Sequence, residues 1–273
     1  MKLPSNNVPA EIREELRQQV LELKPGQFEE LALKIFRYQA ALNPIYREYI
    51  SYRKINLNRV ERLTEVPFLP IQFFKNHLIR TGFDRSDVAK SDPSITFESS
   101  GTSGTNTSRH QLHDAQLYKT ISTSIFQQQY GELSQYHLLA LLPSYLERNN
   151  SSLVYMIRHF IDQTGSDFSG FYLKNTEEML RRLRDLAENQ DGRPVLLMGV
   201  TFALLDLAES ATDFSFFRKL PEFTVMDTGG MKGRREELLR EEVHDILTKS
   251  FGVSKIHSEY GMTELLSQAY SKG

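Results

Sequence analysis

The composition of the chain excludes several classes of protein. At 273 residues it is long enough for one large domain or for one and a half smaller ones. Lysine and arginine total 33 against 35 aspartate and glutamate residues, so no general positive field attracts nucleic acid or an anionic membrane. The sequence has no cysteine, which excludes disulfides, thiolate metal sites and a cysteine nucleophile within it. Its polar start has no signal-peptide pattern, and no apolar run approaches the roughly 18 residues of a membrane helix. We therefore expect a cytoplasmic protein with no membrane span.

The first 65 residues predict a helical segment. Apolar residues recur every three or four positions, as in Ile12, Leu16, Val20 and Leu23. Lys24-Pro25-Gly26 and Asn43-Pro44 interrupt this pattern. The proline-spaced stretch 66–71 that follows is too apolar for a flexible linker. We therefore predict an N-terminal helical segment over residues 1–65 that packs on a main domain over residues 66–273.

Later in the chain the pattern becomes strand, glycine turn and helix, and it occurs three times. Residues 95–98 lead through a Ser/Gly loop to a helix near 114–130, and residues 195–198 lead through Gly199 to 202–208. Residues 223–226 lead through Gly229-Gly230 to 236–249. Strands alternating with helices predict an α/β fold with a mainly parallel sheet flanked by helices. Ligands of such sheets bind at the carboxyl ends of the strands, so we expect the three turns to face one crevice.

The Ser/Gly loop predicts a phosphate site. It consists of Ser99, Ser100, Gly101, Thr102, Ser103, Gly104 and Thr105. Small residues let several backbone N–H groups converge on a polyphosphate. The loop is not a P-loop, because Gly104-Thr105-Asn106 stands where the P-loop has glycine, lysine and a hydroxyl residue. Arg109 is the nearest cation behind it. A plain surface linker is the alternative interpretation.

Two further motifs carry groups that suit a nucleotide. Gly229-Gly230 ends a strand and allows a flat ring or a phosphate close to the backbone, although an ordinary turn is equally consistent with it. In residues 259–264, Tyr260 offers a ring for a purine and Gly261 keeps the backbone clear. Thr263 offers a hydroxyl for a phosphate, and Glu264 offers a hard oxygen ligand for Mg²⁺. A solvated loop with an incidental tyrosine is the alternative.

Together these motifs resemble the adenylate-forming superfamily of acyl-CoA synthetases, luciferases and peptide-synthetase adenylation domains. Within it, residues 66–75, 142–148 and 151–156 are similar to the LuxE-type acyl-protein synthetases, and the resemblance covers most of residues 60–273. It implies ATP- and Mg²⁺-dependent conversion of a fatty or other carboxylic acid to an acyl-adenylate. It further implies transfer of the acyl group to a thiol, either of a protein or of CoA, and an acyl reductase as partner.

The resemblance also implies roles for the individual residues. The loop from Ser99 to Thr105 would hold the β- and γ-phosphates of ATP, with Arg109 in place of the usual lysine. Gly229 and Gly230 would line the adenine slot, and Tyr260, followed by Gly261, would stack on adenine. Thr263 would contact the α-phosphate, and Glu264 would bind Mg²⁺. A C-terminal lid, a ribose-binding aspartate and an acceptor cysteine would lie outside this sequence.

Other interpretations of the sequence stay open. The alternative to an enzyme is a nucleotide-binding or interaction module without turnover. His110 and Asp114 have the H-x-x-x-D spacing of some CoA-dependent acyltransferases, which use acyl-CoA and no ATP. The charge-rich stretch 234–242 is interpreted as a solvated helix face with pairs such as Glu236 and Arg240.

Overall fold

The structure is a computed structural model that describes residues 8–82, 95–99, 107–142, 150–172, 175–231 and 233–273. These residues fall into two compact units. The first is formed by residues 8–82, 95–98 and 107–117, and the second by Ser99 and the described residues from Tyr118 onward. The division predicted at residue 65 stays a prediction.

The first unit is mainly helical. It contains α1 (Val8–Leu21), α2 (Phe28–Leu42), α3 (Pro44–Tyr52) and the short α4 (Phe73–Asn76). Its apolar core comes from α2, α3 and the segment after them, and consists of Leu33, Phe36, Ala40, Tyr46, Ile50 and Val60. The helices predicted for this part of the chain are therefore present.

The helix breaks of the first unit have local causes. Asn43 separates α2 from α3, because its side-chain Oδ1 accepts a hydrogen bond from the backbone N–H of Tyr46 at 3.1 Å. Pro44 occupies the first helical position, where a missing N–H costs nothing. In the proline-spaced stretch, Val66 and Leu69 pack against the core. The Tyr46 hydroxyl also donates to the carbonyl of Pro67 at 3.0 Å, so this stretch is not a flexible linker.

The first predicted strand does not belong to the parallel sheet, and that prediction was wrong. β1 (Ile95–Glu98) pairs antiparallel with β2 (Arg109–Leu112) in a separate two-stranded sheet. Only Phe97 of β1 is buried, whereas a central parallel strand is buried on both faces along its length. The polar residues on either side of Phe97 thus fit a hairpin better than the interior of a sheet.

The second unit contains a six-stranded, mostly parallel sheet, which confirms the predicted α/β class. Its strands are β3 (His137–Leu141), β4 (Gly170–Tyr172), β5 (Val195–Val200), β6 (Thr224–Thr228), β7 (His257–Gly261) and β8 (Gln268–Ser271). Their order is β4-β3-β5-β6-β7-β8, and only β8 runs antiparallel to its neighbour. All residues of β3 and β5 are buried, as expected for central strands covered on both faces.

Helices cover both faces of this sheet. They are α5 (Ala115–Tyr130), α6 (Ser152–Thr164), α7 (Thr176–Glu188), α8 (Thr201–Ala208) and α9 (Arg240–Phe251). Neighbouring residues of a strand point to opposite faces of the sheet, so two neighbours in β8 contact helices on different faces. The ring of Tyr270 contacts Phe126 of α5, whereas the hydroxyl of Ser271 accepts a hydrogen bond from Arg240 of α9. Among the described residues, no helix has the length and apolar character needed to span a membrane.

The last helix begins later than its charge pattern predicts. The Glu242 side chain accepts from the backbone N–H of Leu239 at 2.8 Å, which fixes the helix start at Arg240 rather than at 236. Glu236 thus precedes the helix, and the expected Glu236–Arg240 pair within one helix face was wrong. Arg240 instead donates to hydroxyl groups on two strands of the sheet.

Candidate functional site

A cavity of about 520 Å³ lies where β6 and β7 end in the second unit. Three of the residues predicted to hold a nucleotide, Gly229, Gly230 and Tyr260, line it. The turn after β6, the start of α9 and the edge strand β8 supply the other walls. The carboxyl ends of parallel strands are where α/β sheets bind ligands, so the fold and the predicted residues indicate the same place.

The glycine turn and Tyr260 give the cavity an open, partly aromatic rim. Gly229 has a φ of 74°, a backbone conformation that residues other than glycine rarely adopt. Tyr260 is 61% exposed, and its hydroxyl contacts the sulfur of Met262 at 2.9 Å. An exposed aromatic ring and two glycines, which have no side chain, in the lining of one cavity leave room for a flat group to stack.

Gly261, Thr263 and Glu264 lie beyond the cavity wall. The described lining includes Tyr260 and resumes at Ala269, so the turn between β7 and β8 sits outside it. Thr263 and Glu264 are half-buried in this turn. A Cβ on Gly261 would lie 2.6 Å from Oε1 of Glu259, so this glycine makes space for a neighbouring carboxyl group.

The predicted phosphate loop lies largely outside the described residues. Ser99 follows β1 and is described, whereas Ser100, Gly101, Thr102, Ser103, Gly104 and Thr105 are not. Arg109 begins β2 opposite Glu98 and is exposed. The role of the loop in holding phosphates, and that of Arg109 beside it, stay predictions.

One wall of the cavity carries a polar network that the sequence did not reveal. Asp227 of β6 and Ser258 of β7 are register partners, and both line the cavity. Arg240 Nη2 donates to Ser258 Oγ at 3.1 Å and to Ser271 Oγ at 3.0 Å. The nearest ring nitrogen, Nε2 of His244, lies 3.5 Å from Ser258 Oγ and 3.9 Å from Asp227 Oδ1. Burial lowers the pKa of His244, which favours its neutral form.

The contacts of His244 with Ser258 and Asp227 differ from those of a nucleophilic triad. In such a triad the serine and the aspartate engage opposite nitrogens of the imidazole ring. Here Ser258 and Asp227 approach the same nitrogen, so the ring does not pass a proton between them. The network therefore lacks the geometry of a Ser-His-Asp triad.

Glu259 adds a buried carboxyl group on the other face of the sheet. Its register partner Thr228 donates a side-chain hydrogen bond to Glu259 Oε2. Burial raises the pKa of Glu259 to about 7, and the nearby charge of Asp227 adds to this rise, while the hydrogen bond from Thr228 opposes it. The signal in the sequence was a charged residue inside a strand segment, directly before Tyr260.

His110 and Asp114, the two residues of the H-x-x-x-D spacing, make separate contacts in the structure. Asp114 Oδ2 accepts a hydrogen bond from Arg17 Nε at 2.7 Å, and its Oδ1 accepts one from the backbone N–H of Leu117 at 2.9 Å. Asp114 therefore caps the first turn of α5. The ring of His110 packs edge-on against Phe74, with 5.2 Å between ring centroids. Both residues therefore make contacts within the first unit.

The chain matches no protein-family model, and no curated protein matches it either. The geometry of the cavity and the chemistry of its residues therefore carry the functional inference.

Proposed function

We propose that the protein binds ATP in the cavity of the second unit and activates a fatty or other carboxylic acid as its acyl-adenylate. The observation that carries this proposal is the meeting of Gly229, Gly230 and Tyr260 at one cavity. These residues come from parts of the chain about thirty positions apart, and the resemblance to adenylate-forming enzymes assigns all three to the adenine slot. The α/β sheet is read, on this proposal, as the core of such an enzyme.

The size and lining of the cavity fit a nucleotide. Ligand pockets commonly enclose about 300–1,000 Å³ and combine apolar walls with a few convergent polar groups. The cavity measures about 520 Å³, with Tyr260 and Leu238 among its apolar walls and Asp227, Arg240 and Ser258 among its polar ones. Adenine would lie between the glycine turn and the ring of Tyr260, and the Ser/Gly loop is proposed to hold the phosphates.

The chemistry requires no catalytic base. A carboxylic acid is already ionised at neutral pH, so its oxygen can attack the α-phosphorus of ATP directly. The new bond joins the carboxylate oxygen to the α-phosphorus, the bond from this phosphorus to the bridging oxygen breaks, and pyrophosphate leaves with the electron pair.

The protein has to align the two reactants and neutralise the phosphate charge. Thr263 would donate to the α-phosphate, and Glu264 would hold Mg²⁺, which supplies positive charge when bound. Among the described residues, no three histidine or acidic side chains group as a metal site, and Glu264 would share the ion with the phosphates.

The test is carboxylate-dependent exchange of pyrophosphate into ATP across a panel of acids of increasing chain length. We expect exchange with at least one acid, and a rise of about tenfold in the KM for ATP in Tyr260→Ala, because base stacking on an aromatic ring contributes about 1–3 kcal/mol. Tyr52→Ala, which removes an exposed ring of α3 in the first unit, serves as the matched control. Tight ATP binding without exchange for any acid would favour the interaction module instead. Absence of both would refute the proposal.

A further inference from the structure

A second group of polar side chains lies at the amino ends of the parallel strands. His137 is the first residue of β3 and is 1% exposed. Ser166 follows α6 in the loop that leads to β4, and Asp191 lies in the connection from α7 to β5. The cavity lies at the carboxyl ends of strands parallel to β3, so this group occupies the opposite edge of the sheet.

The imidazole ring of His137 is held on its two opposite nitrogens. Its Nδ1 lies 2.6 Å from Ser166 Oγ, and its Nε2 lies 3.0 Å from Asp191 Oδ1. Burial raises the pKa of Asp191, but hydrogen bonds from the backbone N–H of Arg193 and from His137 outweigh this effect and lower it below its usual value. Asp191 is therefore an ionised carboxylate at neutral pH, although half of its side chain is exposed.

These contacts fix the position of the proton on the ring. A carboxylate only accepts hydrogen bonds, so in the neutral imidazole the proton is on Nε2 and points at Asp191. Nδ1 then carries the free electron pair and accepts the hydroxyl proton of Ser166. The ring of His244 lacks this arrangement, because Ser258 and Asp227 approach one and the same nitrogen.

The surroundings of Ser166 favour attack by its oxygen. The backbone N–H of Phe168 donates to Ser166 Oγ at 3.1 Å, which stabilises negative charge as the hydroxyl proton leaves. Ser166 is partly exposed, and the residue before it, Gly165, is exposed. A Cβ on Gly165 would meet no described atom within 4 Å apart from its chain neighbours, so a substrate has room to approach.

We propose that Ser166, His137 and Asp191 form a second catalytic site, which hydrolyses small carboxylic esters and does not depend on the proposed ATP chemistry. Ser166 would be the nucleophile and His137 the general base, both at hydrogen-bonding distance as such pairs require. Asp191 would be a positioning residue that holds the tautomer and stabilises the imidazolium ion. The two ring nitrogens exchange their roles relative to the usual triad, which the tautomer set by Asp191 permits.

The reaction would proceed through an acyl-serine. Ser166 Oγ attacks the ester carbonyl carbon, and its proton passes to Nδ1 of His137. The bond from this carbon to the alcohol oxygen breaks, and the leaving alcohol takes the proton. Water then attacks the acyl-serine, His137 accepts a proton from the water and returns it to Ser166 Oγ, and the carboxylic acid leaves.

The experiment treats the full chain with a fluorophosphonate probe and, separately, with p-nitrophenyl acetate. We expect the probe to label Ser166, as identified by peptide mass spectrometry, and p-nitrophenyl acetate to be hydrolysed. Both reactions should be lost in Ser166→Ala and kept in Ser210→Ala. Ser210 is an exposed serine whose hydroxyl donates to Thr212, so Ser210→Ala is a matched control for loss of one hydroxyl group.

Asp191→Asn tests the positioning role without removing the nucleophile. We expect labelling to slow by about a hundredfold or more, the usual contribution of general-base catalysis. The ¹⁵N chemical shifts of the His137 ring should show the proton on Nε2 in wild type and a shift of the proton toward Nδ1 in Asp191→Asn. The side chain of Asp191 is half exposed, so this variant also serves if Ser166→Ala does not fold.

Each contrary result identifies the part that fails. Folded wild type whose Ser166 the probe does not label overturns the catalytic site and shows that the three residues only join loops. Label without turnover of p-nitrophenyl acetate overturns ester hydrolysis. Equal labelling rates in wild type and Asp191→Asn, or a proton on Nδ1 in wild type, overturn the role of Asp191. All these measurements omit ATP, so none of them bears on the proposed function.

Discussion

At the scale of single residues, Glu259 is the most perturbed acid beside the cavity. It is 6% exposed, and its Oε2 accepts a hydrogen bond from Thr228. Burial raises the pKa of the Tyr118 and Tyr270 hydroxyls, and the charge of Glu259 adds to that rise. Burial raises its pKa from 4.5 to about 7. The folded protein therefore holds a proton on this carboxyl group at pH values where the unfolded chain has already lost it.

This shift predicts a pH dependence of stability that Glu259→Gln should remove. For an acid whose pKa rises on folding, the stabilising effect is fully present below pH 4.5 and is lost as the pH rises through about 7. The shift corresponds to about 3 kcal/mol of unfolding free energy. We therefore expect wild type to lose about this much stability relative to Glu259→Gln between pH 4 and pH 8, measured by urea unfolding. Parallel pH profiles of the two proteins would contradict the burial effect.

Gly261 is predicted to be required by Glu259 rather than by a ligand. Alanine at this position would place its Cβ 2.6 Å from Glu259 Oε1, so we expect Gly261→Ala to lower the unfolding free energy by about 1–3 kcal/mol. Gly170→Ala in β4 is the control, because its Cβ would meet no atom closer than 3.9 Å. The loss should shrink when Gly261→Ala is combined with Glu259→Ala, since the collision is then gone. Strictly additive losses would show that the backbone itself needs glycine.

At the scale of elements, local capping explains where the helices of the second unit begin and end. The Ser151 side chain accepts from the backbone N–H of Val154 at 3.3 Å and starts α6. Gly165 ends this helix in the left-handed conformation, with a φ of 56°. α9 ends in the same way at Gly252. Short-range signals of this kind are visible in the sequence because the groups involved lie within one turn of each other.

Loss of the α6 cap gives a third prediction. Ser151→Ala leaves the N–H of Val154 without its side-chain acceptor, and the residue is buried, so water replaces the hydroxyl poorly. We expect a loss of about 1 kcal/mol in unfolding free energy. Ser151→Asp, which retains a capping oxygen, should recover most of it in the same denaturant series. A loss that is equal in both variants would show that the packing of Ser151, not capping, is what matters.

At the scale of the whole molecule, the parallel sheet assembles the candidate site from distant segments. Asp227, Arg240 and Ser258 are separated along the chain, yet β6, β7 and the start of α9 bring them to one wall. The glycine turn and Tyr260 complete the cavity. The proposed activity depends on this convergence more than on any single motif.

The composition sets a limit on acyl transfer by this chain. It contains no cysteine, and a thioester requires a thiol, which the thioether of methionine does not provide. After incubation with ATP, Mg²⁺ and a labelled fatty acid, we expect no hydroxylamine-sensitive label on the protein, while labelled acyl-adenylate forms in solution. Denaturing gels before and after hydroxylamine provide the measurement. Stoichiometric labelling of the chain would mean that a side chain other than cysteine accepts the acyl group and would rule out direct transfer to a separate thiol.

The sequence alone determined the features that depend on neighbours along the chain. It predicted the helical N-terminal part, the break at Asn43-Pro44, the helix over most of 114–130 and the α/β class with a mainly parallel sheet. It also singled out Gly229 and Gly230 as a glycine turn and Tyr260 from the spacing of residues 259–264, and all three line one cavity. These features follow from periodicity, capping and backbone freedom, which act over a few residues.

Tertiary structure decided which strands pair and which polar residues meet. Residues 95–98 look like a strand in isolation, but only the pairing with β2 shows that they form a hairpin outside the parallel sheet. The sequence pattern places Arg240 in a solvated charged stretch. Only the register of β7 and β8 places the hydroxyls of Ser258 and Ser271 within hydrogen-bonding distance of it. The enclosed Oδ1 of Asp227, to which no described residue donates a hydrogen bond, and the raised pKa of Glu259 depend on burial by elements far away in sequence. Burial and strand register are long-range properties, so a one-dimensional pattern does not contain them.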